Sequence, residues 1–292
     1  MKILITGGKG MLGRTLRGEF REHEVVVAGL PEADITDAAG IDAVCRSCKP
    51  DVLIHCAAMT DVDKCETCPD MAWKINAVGS ANVASACQRN GIRLIAISTD
   101  YVFSGDSERP YTEFDTPTGG INVYGQSKWA GEQAVRTHCP NHIIVRISWL
   151  YGPGGPSFVH TMLKLADGSR NVLKVVNDQH GNPTSTFAVV RALRELLIRP
   201  ELVGTFHLTC EGEATWYDFA RRIFELAGKS QKVVPCSSAE YVTPARRPAN
   251  SRLEKKMLAL YNLPPMPLPL HQNTPSLSLC WTHYIHIHSL YH

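Results

Sequence analysis

No stretch of eighteen apolar residues occurs anywhere in the 292-residue chain, which excludes a membrane-spanning helix of ordinary length. An excess of either charge is missing too: 30 Lys and Arg face 28 Asp and Glu, a net +2. That balance gives neither nucleic acid nor an anionic membrane surface a reason to bind. The start has no signal-peptide layout, because Met1-Lys2 runs directly into Ile3-Leu4-Ile5, and the expected compartment is the cytoplasm. Acidic residues and arginine both vanish after Glu254. Residues 264–292 instead hold five of the 18 prolines and five of the 12 histidines, with no helical period. Residues 257–292 are therefore expected to be an atypical, disordered tail, dispensable for cofactor binding from residue 264 on.

Cysteine is not scarce: there are ten. Cys45-x-x-Cys48 and Cys65-x-x-Cys68 have zinc-ribbon spacing. Between them, however, the apolar stretch 51–57 reads as a buried strand. Six strand residues span ~20 Å, which puts the two pairs at opposite ends of a sheet. Four thiolates on one zinc must each lie ~2.3 Å from it. No metal site is expected, and the thiols should be reduced.

The rest of the chain alternates strands and helices. Residues 2–6 read as a strand, followed at once by Gly7-Gly8-Lys9-Gly10-Met11-Leu12-Gly13 and a helix with Leu12, Leu16 and Phe20 on one stripe. Glycines at 7, 10 and 13 permit a tight turn, close approach to a pyrophosphate and close helix–strand packing, with phosphate on the helix N-terminus. The second strand, 24–29, ends in Gly29, where an acidic residue would grip the ribose of NAD and a nearby arginine would accept the extra phosphate of NADP. Gly29 offers neither, so NADPH and NADH both stay open and weak discrimination is expected. Asp34 and Ile35 border the adenine, or Asp34 caps a helix from residue 37. The third strand, 52–57, runs into Ala58, Met59 and Thr60, where a cofactor can lie against backbone. Asn76, in the 73–89 helix, is a polar bracket or a packing residue.

The fourth strand, 93–98, leads to Thr99 and Asp100, a hydroxyl placed to polarise a substrate carbonyl. The fifth, 142–148, leads to Trp149, a sugar or base platform or else a core plug. Five βα units before residue 150 define an α/β fold, a doubly wound parallel sheet of Rossmann type over residues 1–150. Beyond Gly152-Pro153-Gly154-Gly155-Pro156, residues 151–256 read as a smaller C-terminal substrate-binding lobe, with 184–210 partly returning to the main sheet. Arg246 and Arg247 suit a diphosphate or form a solvated basic loop.

Tyr124 and Lys128 are four apart, one helical turn, on one face. A phenol ionises near ~10, and an ammonium beside it favours the phenolate. Such a pair can give a proton to a carbonyl oxygen as hydride arrives. Its weight depends on the dinucleotide turn and on the Thr99 hydroxyl being near.

Taken in order, these pieces resemble the extended short-chain dehydrogenase/reductase superfamily and, within it, the dTDP-4-dehydrorhamnose reductase family. The resemblance runs from residue 1 to about 256. It is carried by residues 7–13, 57–64, Ser98-Thr99-Asp100-Tyr101-Val102-Phe103, Asn122-Val123-Tyr124-Gly125-x-x-Lys128, Ser148-Trp149-x-Tyr151, residues 177–184 and Ala245-Arg246-Arg247-Pro248. It implies Tyr124 as general acid, Lys128 on the nicotinamide ribose, and Thr99 on the C4 carbonyl. It also implies substrate contacts from Asp100 and Trp149, and cofactor contacts from Gly10, Met11, Leu12, Ala58, Met59, Thr60 and Ile97. The implied reaction is reduction of dTDP-4-dehydro-L-rhamnose by NADPH or NADH, giving dTDP-L-rhamnose for cell-surface polysaccharide.

Members that pair through magnesium carry carboxylates near the first helix; Thr15 stands here, so a magnesium-bridged homodimer is in doubt. Two other readings compete. One is a non-catalytic NADP-binding module like the regulatory subunit of methionine adenosyltransferase. The other is an epimerase or dehydratase of a different sugar nucleotide.

Overall fold

The computed structural model describes residues 1–30 and 33–268. Five runs rich in Val, Ile and Leu form the parallel strands β1 (Lys2–Thr6), β2 (Glu24–Ala28), β3 (Val52–His55), β4 (Arg93–Thr99) and β5 (His142–Ile147). Runs this apolar suit strands covered on both faces. A sixth strand, Gly204–His207, joins in parallel beside β5, and the order across the sheet is Gly204–His207, β5, β4, β3, β1, β2. The chain therefore goes from β1 outward to β2 and then back past β1 to β3. This reversal opens a crevice at the carboxyl ends of β1 and β3, where ligands of such sheets bind.

Alternation along each strand divides the core in two. Ile3, Ile5, Val52, Ile54, Ile143 and Val145 face one side, against Leu12 and Leu16 of helix α1 (Met11–Glu19), its C-cap Phe20, and Val189, Leu193 and Leu196 of the Thr186–Leu197 helix. Leu4, Leu53, Leu94 and Ile144 face the other side, against Ile41 and Cys45 of helix α2 (Ala38–Cys48) and Val83 and Cys87 of the Gly79–Arg89 helix. Asp37 caps α2 by accepting from the Ala39 amide; the capping role considered for Asp34 belongs to Asp37. A separate cluster, with Tyr151, Val159, Met162, Leu173, Phe219 and Ile223, joins the helices Phe158–Leu165 and Trp216–Leu226 to the paired strands Leu173–Val176 and Val233–Cys236.

The expected tail needs correcting. Lys256–Leu260 is a short helix with Leu258 buried, and Leu263 and Met266 are buried in the same cluster as α1 and the Thr186–Leu197 helix. The Glu211 amide donates to the Pro267 carbonyl at 2.9 Å. Prolines block a helix but not an extended segment laid over apolar side chains, so residues 261–268 pack without one. The rest of the expected tail, 269–292, lies outside the described residues. Among those described, no helix is long and apolar enough to cross a membrane.

Candidate active site

A cleft of about 950 Å³ runs across the carboxyl ends of the central strands. Its floor at one end is the glycine turn. Gly7 has φ 70°, and a Cβ there would lie 2.7 Å from the Ala57 Cα after β3. A Cβ at Gly13 would lie 2.5 Å from the Gly8 Cα, so only glycine lets α1 sit against the turn. Gly10 caps α1 without a side-chain bond, which leaves the first-turn amides of Met11, Leu12 and Gly13 for an anion. Gly7, Gly10, Met11, Leu12, Gly13, Asp34, Ile35, Ala58, Thr60 and Ile97 all line this cleft. Helix dipole, bare amides and a floor where a Cβ would collide fit a dinucleotide diphosphate.

Met59 is the exception among the expected cofactor residues. It is outside the cleft lining and packs with Cys65 and Ala72. Its backbone is held from behind: Asn76 Oδ1 accepts from the Met59 amide at 2.8 Å and Asn76 Nδ2 donates to the Met59 carbonyl at 3.1 Å. Asn76 also donates to Ser127 Oγ at 3.0 Å, which ties this loop to the tyrosine helix. It sits in a π-helical turn, Lys74–Val78, and acts as the polar bracket.

Thr99 ends β4, and the Val123–His138 helix passes over it. Tyr124 is half-buried in the first turn of that helix, with Thr99 the neighbouring side chain that favours its phenolate. Thr99 Oγ1 also donates to Asp100 Oδ1 at 2.9 Å and accepts from the Tyr101 amide at 3.2 Å. Lys128 is 6% exposed, and its Nζ donates to the Ile97 carbonyl at 2.8 Å. Burial pushes the Lys128 ammonium down to about 8, against support from Glu132. Burial pushes the Tyr124 phenol up, against the lowering by Thr99. The expected lowering of the tyrosine by the lysine does not appear: desolvation and the nearby Asp100 raise the phenol, and Lys128 is not among the groups that shift it.

Asp100 is 3% exposed, and burial pushes its carboxyl up to about 7, against hydrogen bonds from Ser251 and Thr99. Beneath Lys128, Glu132 accepts from Ser98 Oγ at 2.6 Å, from Arg146 Nη2 at 2.8 Å and from Arg136 Nη2 at 2.9 Å. Burial raises this carboxyl, but the two guanidiniums outweigh it and hold it below its usual range.

Trp149 lines the far end of the cleft with φ 44°. Its indole stacks on Trp216, ring centroids 3.5 Å apart and 6° from parallel. Trp216 Nε1 in turn donates to Gln179 Oε1 at 3.1 Å. Trp149 is thus a cleft wall with one face already covered. Arg247 is displaced from its expected role. Its guanidinium makes a two-pronged pair with Asp63, at 2.8 and 2.9 Å, and it does not line the cleft. It ties the 245–251 segment to the Val62–Thr67 helix instead.

Sequence reasoning missed Lys9, Lys74 and Trp216, which also line the cleft. Lys9 had a signal, its place between two glycines of the turn; Trp216 had none, since its partner lies far away in the chain. Thr15 is buried, donating to the Met11 carbonyl at 3.1 Å and sharing a hydrogen bond with Thr186 Oγ1 at 3.0 Å, and presents no carboxylate to a metal. Among the described residues no three His, Cys, Asp or Glu side chains group to hold one.

A doubly wound sheet with a glycine turn at its switch point, and a Tyr-x-x-x-Lys helix over a Thr at the end of β4, define an extended short-chain dehydrogenase/reductase. The profile of the family described as RmlD substrate binding domain matches residues 1–268. A dTDP-4-dehydrorhamnose reductase of Sinorhizobium fredii is 42% identical over 264 residues, 87% of this chain and 88% of that one. One of Escherichia coli is 38% identical over 272 residues, 87% of this chain and 89% of that one. The crystal structure of a dTDP-4-dehydrorhamnose reductase from Clostridium acetobutylicum superposes with a TM-score of 0.90 at 40% identity, covering 99% of this chain and 100% of that one. The Bacillus anthracis enzyme, in complex with NADP, gives 0.88 at 37% identity, over 100% of this chain and 99% of that one. The chain belongs to the dTDP-4-dehydrorhamnose reductase family.

Proposed function

We propose that the protein reduces the C4 ketone of dTDP-4-dehydro-L-rhamnose with NADPH or NADH, giving dTDP-L-rhamnose. The observation that carries this reading is the meeting of Tyr124, Thr99 and Lys128 in the cleft that the glycine turn opens. The full-length similarity to reductases of that name supports the substrate, and none of the reported relatives favours a regulatory module. The nicotinamide cofactor supplies the hydride.

The chain's own residues do the rest. The α1 amides at Met11 and Leu12 hold the diphosphate, and Ala58, Thr60 and Ile97 give the cofactor a backbone bed. Lys128 reaches the nicotinamide ribose from its place at the Ile97 carbonyl. Thr99 fixes the substrate carbonyl by hydrogen bond, and Tyr124 donates a proton to its oxygen. Asp100 holds sugar hydroxyls, and the Trp149–Trp216 wall bounds the sugar nucleotide. Positive charge developing beside Tyr124 as hydride is given up would favour its phenolate, opposing the burial that raises the phenol.

We place the reaction in the cytoplasm, which the nine free cysteines among the described residues support. Self-association as a homodimer belongs to the same reading, and light scattering tests it. The deciding experiment follows NAD(P)H oxidation by the purified chain on the dTDP-ketosugar, with UDP and GDP analogues as controls. Turnover on the dTDP compound is expected. Turnover confined to a UDP or GDP sugar would remove the substrate assignment.

A further inference from the structure

Tyr124, Lys128 and Glu132 are spaced four apart and so make one stripe down the Val123–His138 helix. The first two line the cleft, and Glu132 is buried one turn further on. A carboxylate has about four places for a hydrogen bond, and Glu132 fills them all. Oε1 accepts from Ser98 Oγ at 2.6 Å and from Arg146 Nε at 3.0 Å. Oε2 accepts from Arg146 Nη2 at 2.8 Å and from Arg136 Nη2 at 2.9 Å. Arg146 is itself fixed: His207 Nδ1 donates to the Glu254 carbonyl at 2.8 Å, which leaves Nε2 to accept from Arg146 Nη1 at 3.4 Å. Replacing a buried ion pair by apolar side chains is often neutral or stabilising, so stability alone is a weak reason for this one.

Ser98 is the informative partner. The peptide that joins it to Ile97 in β4 carries the carbonyl to which Lys128 Nζ donates at 2.8 Å. Holding the Ser98 side chain therefore fixes the group on which the lysine is aimed. We propose that Glu132 is a positioning residue for the reduction, setting the Ile97–Ser98 peptide through the Ser98 hydroxyl and giving Lys128 its counter-charge. This rests on the reductase reading above. Lys128 then meets the nicotinamide ribose as an ammonium, at a fixed place beside Tyr124.

The charges around Lys128 point the same way. Tyr124 and Glu132 share its helix, His55 and Cys56 close β3, Asp100 and Tyr101 follow β4, and Lys74 lies in the π-helical turn. Cys65, on the Val62–Thr67 helix, stands beside Tyr124. Burial keeps His55 neutral, down to about 3, and Cys56 and Cys65 neutral, up to about 12 and about 11. It raises both tyrosines and takes Asp100 up to about 7. Arg146, on β5, is already bound to Glu132. Burial lowers Lys128, and Glu132 leads the groups that oppose this. Burial raises Glu132 too, but Arg146 and Arg136 outweigh it, so this anion keeps its charge across neutrality.

Ser98→Ala, Ser98→Thr and Glu132→Gln test the proposal. Ser98→Ala keeps the Glu132 charge and frees the peptide. Its kcat should fall ~10-fold and its NADPH affinity, read by fluorescence titration, should weaken, with KM for the ketosugar little changed. Ser98→Thr brings back the hydroxyl and should restore both, which a packing role does not predict. Glu132→Gln keeps an acceptor for Ser98 and removes the charge. NMR on lysine labelled at Cε should then show Lys128 titrating at least ~1 unit below the native midpoint, near 8, a midpoint that Ser98→Ala leaves in place. Should Glu132→Gln fail to fold, the Ser98 pair decides alone. If the native protein is idle on the dTDP-ketosugar yet shows the Lys128 shift and the loss of NADPH affinity, the substrate reading falls and the positioning role stands. Native kcat and NADPH affinity in Ser98→Ala, a Ser98→Thr as impaired as Ser98→Ala, or an unmoved Lys128 midpoint in folded Glu132→Gln overturns the proposal.

Discussion

Tyr124 and Lys128 are held one turn apart on a helix, and burial acts on them in opposite directions: both neutral forms are favoured. Tyr124→Phe removes the proposed proton donor without touching the glycine turn. Turnover should fall by at least ~100-fold with NADPH affinity unchanged, measured by steady-state kinetics beside equilibrium titration. Lys128 carries a stability consequence. Its pKa falls from 10.5 unfolded to about 8 folded, so between those values the unfolded chain binds a proton that the native protein does not. Stability of the cofactor-free protein therefore rises with pH across that window, and the buried ammonium costs up to about 3 kcal/mol below it. Lys128→Met should be more stable than the native chain at pH 7 and lose most of that advantage by pH 9.5, before Tyr124 begins to matter. Denaturant melts at the two pH values check it. Lys9 Nζ lies 2.8 Å from the Leu30 carbonyl, at the end of β2 where the adenosine ribose would come. That supplies the cation missing at Gly29, so discrimination between cofactors should exceed what the bare strand end suggested. Lys9→Ala should weaken NADPH about tenfold more than NADH, ~1.4 kcal/mol, by titration with each.

At the scale of the element, the helix Val123–His138 begins where the chemistry is. Asn122 caps it, accepting from the Gly125 amide at 2.8 Å, and its Nδ2 donates to the Arg246 carbonyl at 2.7 Å. Glu66 accepts from the Val123 amide at 2.8 Å. Asn122→Ala should cost ~1–2 kcal/mol of stability and loosen the turn bearing Tyr124, lowering kcat more than it changes KM. Thermal melts and kinetics at matched pH separate the two effects. The helix itself was legible in the sequence, because a Tyr-x-x-x-Lys spacing and an Asn before it are local patterns. The β1 turn was legible for the same reason, since Gly7, Gly10 and Gly13 carry their own conformational demand. Arg247 was not, because its partner Asp63 is 184 residues away and only the folded chain joins them. Met59 was misplaced by a subtler limit: its neighbours Ala58 and Thr60 face the cleft, and the sequence does not show which way the middle residue of a loop turns.

For the whole molecule, the end of the described chain is part of the core and not an appendage. Leu263 and Met266 are buried against the side of the sheet that α1 covers. The sequence hid this, since a Pro-rich segment has neither the 3.6 nor the 2 residue period by which buried faces are read. Truncation after Leu263 should therefore destabilise the protein by ~2–5 kcal/mol, comparable to deleting a large buried side chain, and Met266→Ala alone should reproduce much of the loss. Thermal melting of both variants tests it. Truncated protein that melts like the full chain would mean the apolar surface is covered in another way.

The late arrival of these core residues bears on how the protein is made. A ribosome at ~5–20 residues per second needs on the order of ten seconds to go from the end of β5 to Met266. For most of that interval the five strands and α1 have left the ribosome before their last partners. The edge of β5 that Gly204–His207 will pair with, and the apolar face that Leu258, Leu263 and Met266 will cover, stay open to whatever meets them. Nascent chains of this protein should accordingly be prone to association until the last part of the core emerges.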